Sequence, residues 1–253
     1  MTQALDGYVA FITGGSSGLG QSHARVLAAR GAKVAITDFK QENLERAKTE
    51  FAAERIDVLC LKADNRVVAE VQAAVTAAEA QFGRVDILVN NAGISGMHAH
   101  IEEIDEAFFD SMFDTHVKGA FFAAQAVVPG MKARRFGRII NTGSTFAMTG
   151  SPAMCHYAMA KGALTAITRS WARELTPFGI TVNTVSPGLV ETPMTRGDLT
   201  PEHMRAIVAG MAIGRTIRPE EISYLVAFLA SREADTVTGQ NFSPNGGQAI
   251  VGI

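Results

Sequence analysis

The sequence predicts a doubly wound α/β fold, in which a parallel sheet carries helices on both faces. Short apolar runs alternate with amphipathic, alanine-rich stretches along most of the chain. The runs are rich in Val and Ile and lack polar alternation, which is typical of strands covered on both faces. No linker, low-complexity tract or internal repeat divides the 253 residues. We therefore expect one domain over residues 1–253.

The predicted strands, in chain order, are 8–13, 33–37, 57–61, 85–90, 138–141 and 181–185. The first helix is expected at 21–30, and Gly31 follows it as a left-handed cap. A long helix begins near Cys155, and Pro177 and Gly179 mark its end. Residues 188–214 are too long for an ordinary connection and are expected to form a mobile lid.

Composition argues against several classes of function. Lys and Arg number 23 against 25 Asp and Glu, so no basic excess favours nucleic acid. Cys60 and Cys155 cannot build a disulfide framework, which fits a reducing compartment. No run approaches the roughly 18 apolar residues of a membrane span, and residues 1–15 lack the pattern of a signal peptide. We expect a cytoplasmic protein without a nucleic-acid or membrane partner.

A glycine-rich turn, TGGSSGLG at 13–20, follows the first predicted strand and opens the first helix. Glycines in such a turn let the backbone approach a pyrophosphate, whose charge is held at the helix N-terminus. Asp38 ends the second strand, where an acid hydrogen-bonds the ribose of NAD and repels the 2′-phosphate of NADP. The pattern predicts NAD as cofactor, although Lys40 and Arg46 are nearby cations that would offset the repulsion.

The same turn contains a competing motif. Gly14, Ser16 and Gly18 match the Gly-x-Ser-x-Gly nucleophile elbow of α/β-hydrolases. An elbow normally follows several strands, whereas only one strand precedes this turn. A serine hydrolase that uses Ser16 as its nucleophile is therefore less favoured than a dinucleotide-binding protein, but it stays open as an alternative.

A second group of residues points to alcohol and carbonyl chemistry. Ser144 follows the strand at 138–141, and Tyr157 and Lys161 are four residues apart on one helical face. An ammonium beside a phenol favours the phenolate, so we expect Lys161 to lower the pKa of Tyr157 from its usual value of about 10. Tyr157 would exchange a proton with an alcohol or carbonyl oxygen, to which Ser144 donates a hydrogen bond.

With these motifs the sequence resembles the short-chain dehydrogenases/reductases over essentially its whole length. The resemblance implies a Rossmann-like sheet of about seven strands, hydride transfer with a nicotinamide, and a homotetramer built through helices at 105–131 and 156–176. The spacing of four residues between Tyr157 and Lys161 argues against the enoyl-reductase branch. Asn245 stands where the family usually has an acid before the paired glycines.

The resemblance also implies site residues. Asp64 is expected at the adenine, Lys161 at the nicotinamide ribose, and Val190 and Thr192 at the carboxamide. The full set expected to bind the cofactor is Gly14, Ser16, Ser17, Gly18, Leu19, Gly20, Asp38, Phe39, Asp64, Asn65, Asn91, Ala92, Gly93, Tyr157, Lys161, Pro187, Gly188, Val190 and Thr192.

The substrate is expected to be neutral and apolar, with a cyclic or aromatic part. The residues expected around it are Ser144, Phe146, Met154, Leu189 and Met194. Arg196 in the lid would contradict this expectation if it bound an anionic substrate. His98 and His100 form a His-x-His pair, but no carboxylate or Cys stands at ligand spacing, so no metal site is expected.

His116 departs from the family pattern, which usually has Asn at this position. In the family that Asn helps to hold a water through which the lysine passes protons. Imidazole also donates and accepts hydrogen bonds, so one hypothesis is that His116 is catalytic and keeps the relay in altered form. The other is that it packs in its helix without a catalytic role. The substitution also leaves open a pseudoenzyme that binds the cofactor without turnover.

Overall fold

Seven parallel strands form one sheet in the computed structural model, which describes residues 4–96 and 98–250. Met97, beside the His-x-His pair, lies outside the described residues. The strands are β1 (Val9–Ile12), β2 (Lys33–Asp38), β3 (Val58–Lys62), β4 (Ile87–Asn90), β5 (Gly137–Thr142), β6 (Ile180–Val185) and β7 (Asn241–Phe242). Their order in the sheet is β3-β2-β1-β4-β5-β6-β7.

Helices connect the strands and cover both faces of the sheet. They are α1 (Gly18–Ala29), α2 (Gln41–Ala53), α3 (Val68–Phe82), α4 (Glu106–Phe113), α5 (Gly119–Arg134), α6 (Phe146–Thr149), α7 (Cys155–Leu175), α8 (Pro193–Asp198), α9 (Pro201–Ala209) and α10 (Pro219–Ala230). A π-helical turn, Asp114–Lys118, joins α4 to α5, and short 3₁₀ turns cover Ile101–Glu103, Thr176–Phe178 and Arg232–Ala234.

The apolar core lies on the two faces of the sheet. Ile12 and its neighbours pack against α1, α2 and α10, whereas Phe11 and its neighbours pack against α3, α5 and α7. Adjacent residues of a strand point to opposite faces, so a strand buried on both sides is mostly apolar. This explains the apolar runs in the sequence, although β5 and β6 also bury the polar side chains Arg138, Asn141 and Asn183.

The predicted fold class is confirmed, and the six predicted strands occur within two residues of their expected bounds. Gly31 and Gly179 have left-handed backbones, with φ of +100° and +75°. The first helix begins at Gly18, inside the glycine turn, rather than at residue 21. The helix expected at 105–131 is interrupted by the π turn, which holds one extra residue per turn.

The sheet places a crevice where a nucleotide-binding site is expected. Strand order reverses between β1 and β4, and ligands of doubly wound folds bind outside the carboxyl ends of the strands at such a point. Residues 188–214, the predicted lid, lie beside this crevice and contain α8 and α9. Across residues 4–96 and 98–250, no helix combines the length and the apolarity needed to cross a membrane.

Candidate active site

The glycine turn after β1 is locked to the loop after β4. Thr13 Oγ1 accepts hydrogen bonds from the backbone N–H groups of Asn91 and Ala92, both at 3.0 Å. The Asn91 amide donates to the carbonyl oxygens of Thr13 and Gly14 at 3.1 Å. A Cβ on Gly14 would lie 2.8 Å from Cα of Ala92, and the φ of Gly14 is +64°. Only glycine therefore fits this position, as the motif predicts.

Asp38 is fixed at the end of β2 by three donors. Its Oδ1 accepts from the Lys40 N–H at 2.8 Å and from the Asn43 amide at 3.2 Å, and its Oδ2 accepts from the Ser16 hydroxyl. The Lys40 ammonium lies over the Phe39 ring, 5.3 Å from its centroid. Arg46 donates to Asn43 at 3.2 Å. Neither cation forms an ion pair with the Asp38 carboxylate in the part of the chain that the structure describes.

Asp64 and Asn65 follow β3, and the side chain of each forms hydrogen bonds with a different part of the chain. Arg66 donates to both oxygens of the Asp64 carboxylate at 2.6–3.1 Å, and this contact lowers the pKa of Asp64. The Asn65 amide donates to the Thr115 carbonyl at 2.9 Å and so ties this loop to the π turn. A Cβ on Gly119 would lie 2.3 Å from the same amide, which leaves room only for glycine.

These loops and residues of the segment at 187–195 line a cavity of about 420 Å³ at the carboxyl ends of the strands. Its size lies within the range of small-molecule sites. The predicted site residues that line it are Gly14, Ser17, Gly18, Leu19, Asp38, Phe39, Asp64, Asn65, Asn91, Ala92, Gly93, His116, Ser144, Tyr157, Lys161, Pro187, Gly188, Val190, Thr192 and Met194.

Other expected site residues do not line the cavity. Ser16 is buried. Gly20 packs closely against the glycine turn, since a Cβ on Gly20 would lie 2.2 Å from the Gly14 carbonyl oxygen. The Leu189 side chain belongs to the apolar core, and Met154 is buried at the start of α7. Phe146 is half-buried, and its ring meets that of Tyr157 edge-on with centroids 6.4 Å apart.

The burial of Ser16 also decides the hydrolase alternative. Ser16 is 1% exposed, and its hydroxyl donates to a carboxylate rather than to an imidazole. His23, the histidine of the adjoining helix, has its Nδ1 2.8 Å from the Ser223 hydroxyl instead. Ser16 therefore lacks the base and the access that a nucleophile requires.

Several lining residues were not expected from the sequence. They are Thr37, Asn43, Ala63, Arg66, Ile94, Ser111, Thr115, Thr142, Gly143, Pro193 and Thr195. Most of them adjoin predicted site residues at strand ends, so the rule that parallel strands present their carboxyl ends together would have found them. Ser111 and Thr115 belong to α4 and the π turn, and no sequence signal distinguishes them.

Ser144, Tyr157 and Lys161 meet in this cavity. The polar Ser144 side chain lowers the pKa of Tyr157, but burial outweighs this effect and raises the pKa to about 12. The Lys161 ammonium donates to the Thr142 carbonyl at 2.8 Å and lies 5.6 Å from the centroid of the Tyr157 ring. Burial lowers the pKa of Lys161 to about 7.

The expectation that Lys161 lowers the pKa of Tyr157 is therefore not met. Both groups are buried, and burial disfavours the charged form of each. A lysine with a pKa of about 7 carries only part of a charge near neutral pH. The carboxylate of Asp198 in α8 raises the pKa of Tyr157 further.

His116 lies in the π turn and packs against Tyr157. Its Nε2 is 2.7 Å from the carbonyl oxygen and 3.1 Å from the nitrogen of Ile94. Its ring meets that of Tyr157 edge-on, with centroids 5.6 Å apart. Nδ1 is buried and has no hydrogen-bond partner among the described residues. Burial and the charge of Lys161 hold the pKa of His116 well below its usual value, so the ring is neutral.

His98 and His100 lie outside any cluster suited to a metal. Both are exposed, and no group of three or more His, Cys, Asp or Glu side chains comes together within residues 4–96 and 98–250.

Comparisons with known proteins extend over nearly the whole chain. A family model described as enoyl-(acyl carrier protein) reductase matches residues 14–249. The 3-oxoacyl-[acyl-carrier-protein] reductase FabG of Vibrio cholerae serotype O1 is 39% identical over 247 residues, which are 98% of this chain and 99% of the relative. The 2-(S)-hydroxypropyl-CoM dehydrogenase 3 of Xanthobacter autotrophicus is 36% identical over 256 residues, with 99% and 100% covered.

Solved structures of similar proteins also match nearly the whole chain. The crystal structure of levodione reductase has a TM-score of 0.92 and 34% identity, covering 96% of this chain and 98% of that chain. A Serratia marcescens short-chain dehydrogenase/reductase, solved as a double mutant, has a TM-score of 0.88 and 38% identity, with 98% and 100% covered. The likeness therefore includes both the sheet and the loops that build the cavity.

Proposed function

Since the chain belongs to the short-chain dehydrogenase/reductase family, we propose that it interconverts a neutral secondary alcohol and its ketone with NAD. Membership makes it an oxidoreductase that uses a nicotinamide cofactor. The finer proposal depends on one observation, which is that a single cavity holds Asp38 near the glycine turn together with Ser144 and Tyr157.

The residues present fit a dinucleotide. The φ of Gly18 is +53°, and α1 begins there without an acidic residue in its first turn, so its N–H groups suit a pyrophosphate. Asp38 would hold the adenosine ribose, and Lys161 the nicotinamide ribose. When bound, the nicotinamide supplies the hydride acceptor for alcohol oxidation and the hydride donor for ketone reduction.

Ser144 and Tyr157 act on the substrate oxygen. The Ser144 hydroxyl donates a hydrogen bond to it, and the Tyr157 phenol gives it a proton in reduction or removes one in oxidation. With a pKa of about 12, Tyr157 is protonated at neutral pH and ready to act as the acid. When a positively charged group binds beside the phenol, it lowers the pKa of Tyr157 and favours the action of Tyr157 as a base.

His116 is proposed to relay the proton between Lys161 and solvent. One nitrogen of a neutral imidazole donates while the other accepts. Nε2 donates to the Ile94 carbonyl in one tautomer and accepts from the Ile94 N–H in the other, and Nδ1 takes the opposite role in each. According to its tautomer, the neutral ring therefore offers Nδ1 as a donor or as an acceptor, with which it would hold the hydrogen-bonded group through which Lys161 passes its proton.

NAD is favoured over NADP by the carboxylate of Asp38, which would repel a 2′-phosphate. The two cations that weaken this argument have other contacts. Lys40 lies over Phe39, and Arg46 contacts Asn43 and, at 3.9 Å, Glu50.

A neutral substrate is favoured by the lid. Met194 lines the cavity and is 43% exposed, so it offers an apolar, deformable surface. Arg196, which would attract an anionic substrate, is paired with Glu191 at 3.3 Å. The lid, residues 188–214, is proposed to close over this substrate.

A homotetramer in the cytoplasm completes the proposal. Phe109 of α4 and Phe121 of α5 are 38% and 40% exposed, which is unusual for large aromatic side chains and suits an interface. Sedimentation of the purified protein tests this assembly, and a monomer would refute it.

The proposed activity is tested by following nicotinamide absorbance with NAD or NADP and a panel of neutral secondary alcohols and anionic hydroxy acids. We expect turnover of the neutral alcohols with NAD, and at least roughly a hundredfold loss of kcat in Tyr157→Phe. Tight NADH binding without turnover of any compound would favour the pseudoenzyme. Better turnover of hydroxy acids than of neutral alcohols of similar size would refute the proposed substrate class.

A further inference from the structure

The turn near the C-terminus of the described chain, residues 243–248, contacts the loop at 186–189, in which the lid begins. Gln248 Oε1 accepts a hydrogen bond from the Leu189 N–H at 2.8 Å. A Cβ on Gly188 would lie 2.6 Å from the same oxygen and 2.9 Å from Cα of Asn245. The Ser243 hydroxyl donates to the Ser186 carbonyl at 2.8 Å. The loop at 186–189 is therefore seated directly on this turn.

The same turn also contacts the far end of the lid. The Ile213 N–H donates to the Gly246 carbonyl at 3.0 Å. A Cβ on Gly247 would lie 2.5 Å from Cβ of Ala212, so the two backbones approach closely. Residues 243–248 thus touch the chain both where the lid begins and where it ends.

Asn245 holds this turn in shape. Its Oδ1 accepts from the Gly247 N–H at 2.8 Å, and its amide donates to the Ser243 hydroxyl and to the Ala249 carbonyl, both at 2.8 Å. A carboxylate has no hydrogen to donate, so an acid here would lose two of these contacts. This explains the Asn that stands where the family usually has an acid.

The lid between these two contacts is lightly packed. Neither α8 nor α9 contains a buried residue. The base of the lid is held by backbone hydrogen bonds, from the Ile217 N–H to the Leu189 carbonyl at 3.0 Å and from the Glu191 N–H to the Ile217 carbonyl at 2.9 Å. Segments with few buried contacts open most easily. The contacts that fix the two ends of the lid therefore determine how the lid moves.

We propose that residues 243–248 form a C-terminal clasp that fixes both ends of the lid, and that Gln248 is a positioning residue for the cofactor-binding loop at 187–192. The Gln248 oxygen holds the Leu189 N–H, and Leu189 stands between Gly188 and Val190, which both line the cavity. Loss of this contact lets the loop shift and weakens binding at the nicotinamide end. The cofactor part of the proposal rests on the proposed function.

The test compares Gln248→Asn, Gln248→Leu and Gln248→Glu with the wild type. Asn keeps the polarity but is one methylene too short to reach Leu189, and Leu fills the space without an acceptor. Glu keeps an oxygen at the same distance along the side chain. Gln72→Leu on α3, where the side chain is exposed, is the matched control.

Two readouts are measured, which are the exchange rate of the Leu189 amide hydrogen and the Kd of NADH from its fluorescence. In the Asn and Leu variants we expect exchange roughly tenfold faster and a Kd about tenfold higher, with a larger effect on the KM for NAD than on kcat. Gln248→Glu is expected to restore both values, and Gln72→Leu to leave them unchanged.

Unchanged exchange at Leu189 in the Asn variant would overturn the clasp. Faster exchange with an unchanged Kd for NADH would overturn the positioning role of Gln248. A wild-type protein that binds no NADH would refute the proposed function itself, and the exchange measurement would still decide whether the clasp holds the loop.

Discussion

The ring of His116 fills the space beside Gly93 in which any other residue would place its side chain. A Cβ on Gly93 would lie 2.4 Å from Cε1 of His116 and 2.9 Å from its Nδ1. Gly93 is absent from the described glycines with positive φ, so its backbone does not itself require glycine. The requirement comes from the imidazole, which is 2% exposed and cannot move aside.

Gly93→Ala is therefore expected to lower the free energy of unfolding by about 2 kcal/mol, the usual cost of overpacking a buried site. In a His116→Asn background the cost should be smaller, because the amide is shorter than the imidazole. Urea unfolding of the two single variants and the double variant measures this coupling. Equal costs in the two backgrounds would show that His116 is not the cause.

The relay proposed for His116 predicts an effect on proton transfer. His116→Asn is expected to change kcat and to shift its pH profile, because an amide keeps its donor and its acceptor on fixed atoms, whereas the two nitrogens of an imidazole take either role according to the tautomer. The measurement is kcat against pH for the variant, the wild type and a control, His98→Asn, at an exposed loop position. A variant with the wild-type rate and pH profile would leave His116 a packing residue.

The strands and the glycine turn were predictable because their physical causes are local. A strand buried on both faces is mostly apolar, and a turn at φ +64° against Ala92 must be glycine. The position of Asp38 and Tyr157 at the cavity was predictable for a similar reason, because Asp38 ends a parallel strand and Tyr157 lies at the start of a helix.

Side-chain direction and burial are harder to predict from the sequence. Leu189 stands between Gly188 and Val190, but its side chain belongs to the apolar core. Met154 is buried as well, and no local pattern records this. The π turn at Asp114–Lys118 was not predicted from the sequence. The pKa of Tyr157 depends on the total burial around it, which a four-residue spacing does not reveal.

Replacement of Asp38 is expected to change the preference between NAD and NADP. Asp38→Asn removes the negative charge but keeps an oxygen for the Lys40 N–H, which Asp38 holds at 2.8 Å. The ratio of kcat/KM for NAD to that for NADP is expected to fall roughly tenfold or more, which corresponds to about 1.4 kcal/mol. Asp57→Asn, at an exposed position before β3, is the control. An unchanged ratio would mean that Asp38 does not discriminate between the cofactors.

The burial of Lys161 is expected to lower the free energy of unfolding by an amount that depends on pH. Its pKa is about 7 in the folded protein, against 10.5 for a lysine that is not buried, so the unfolded chain binds more protons between these values. The cost is present in full below pH 7 and disappears as the pH rises towards 10.5. At about 1.4 kcal/mol for each unit by which the two pKa values differ, this cost reaches about 5 kcal/mol at most.

Lys161→Met removes this cost together with the hydrogen bond to Thr142, which is worth about 1 kcal/mol. The variant is therefore expected to be more stable than the wild type at about pH 7, by an amount that shrinks as the pH approaches about 10, while its affinity for NADH falls. Chemical unfolding of both proteins from about pH 6 to about pH 10 measures the difference directly. A difference that stays constant with pH would show that Lys161 does not titrate in this window, and that its ammonium is stabilised in the cavity.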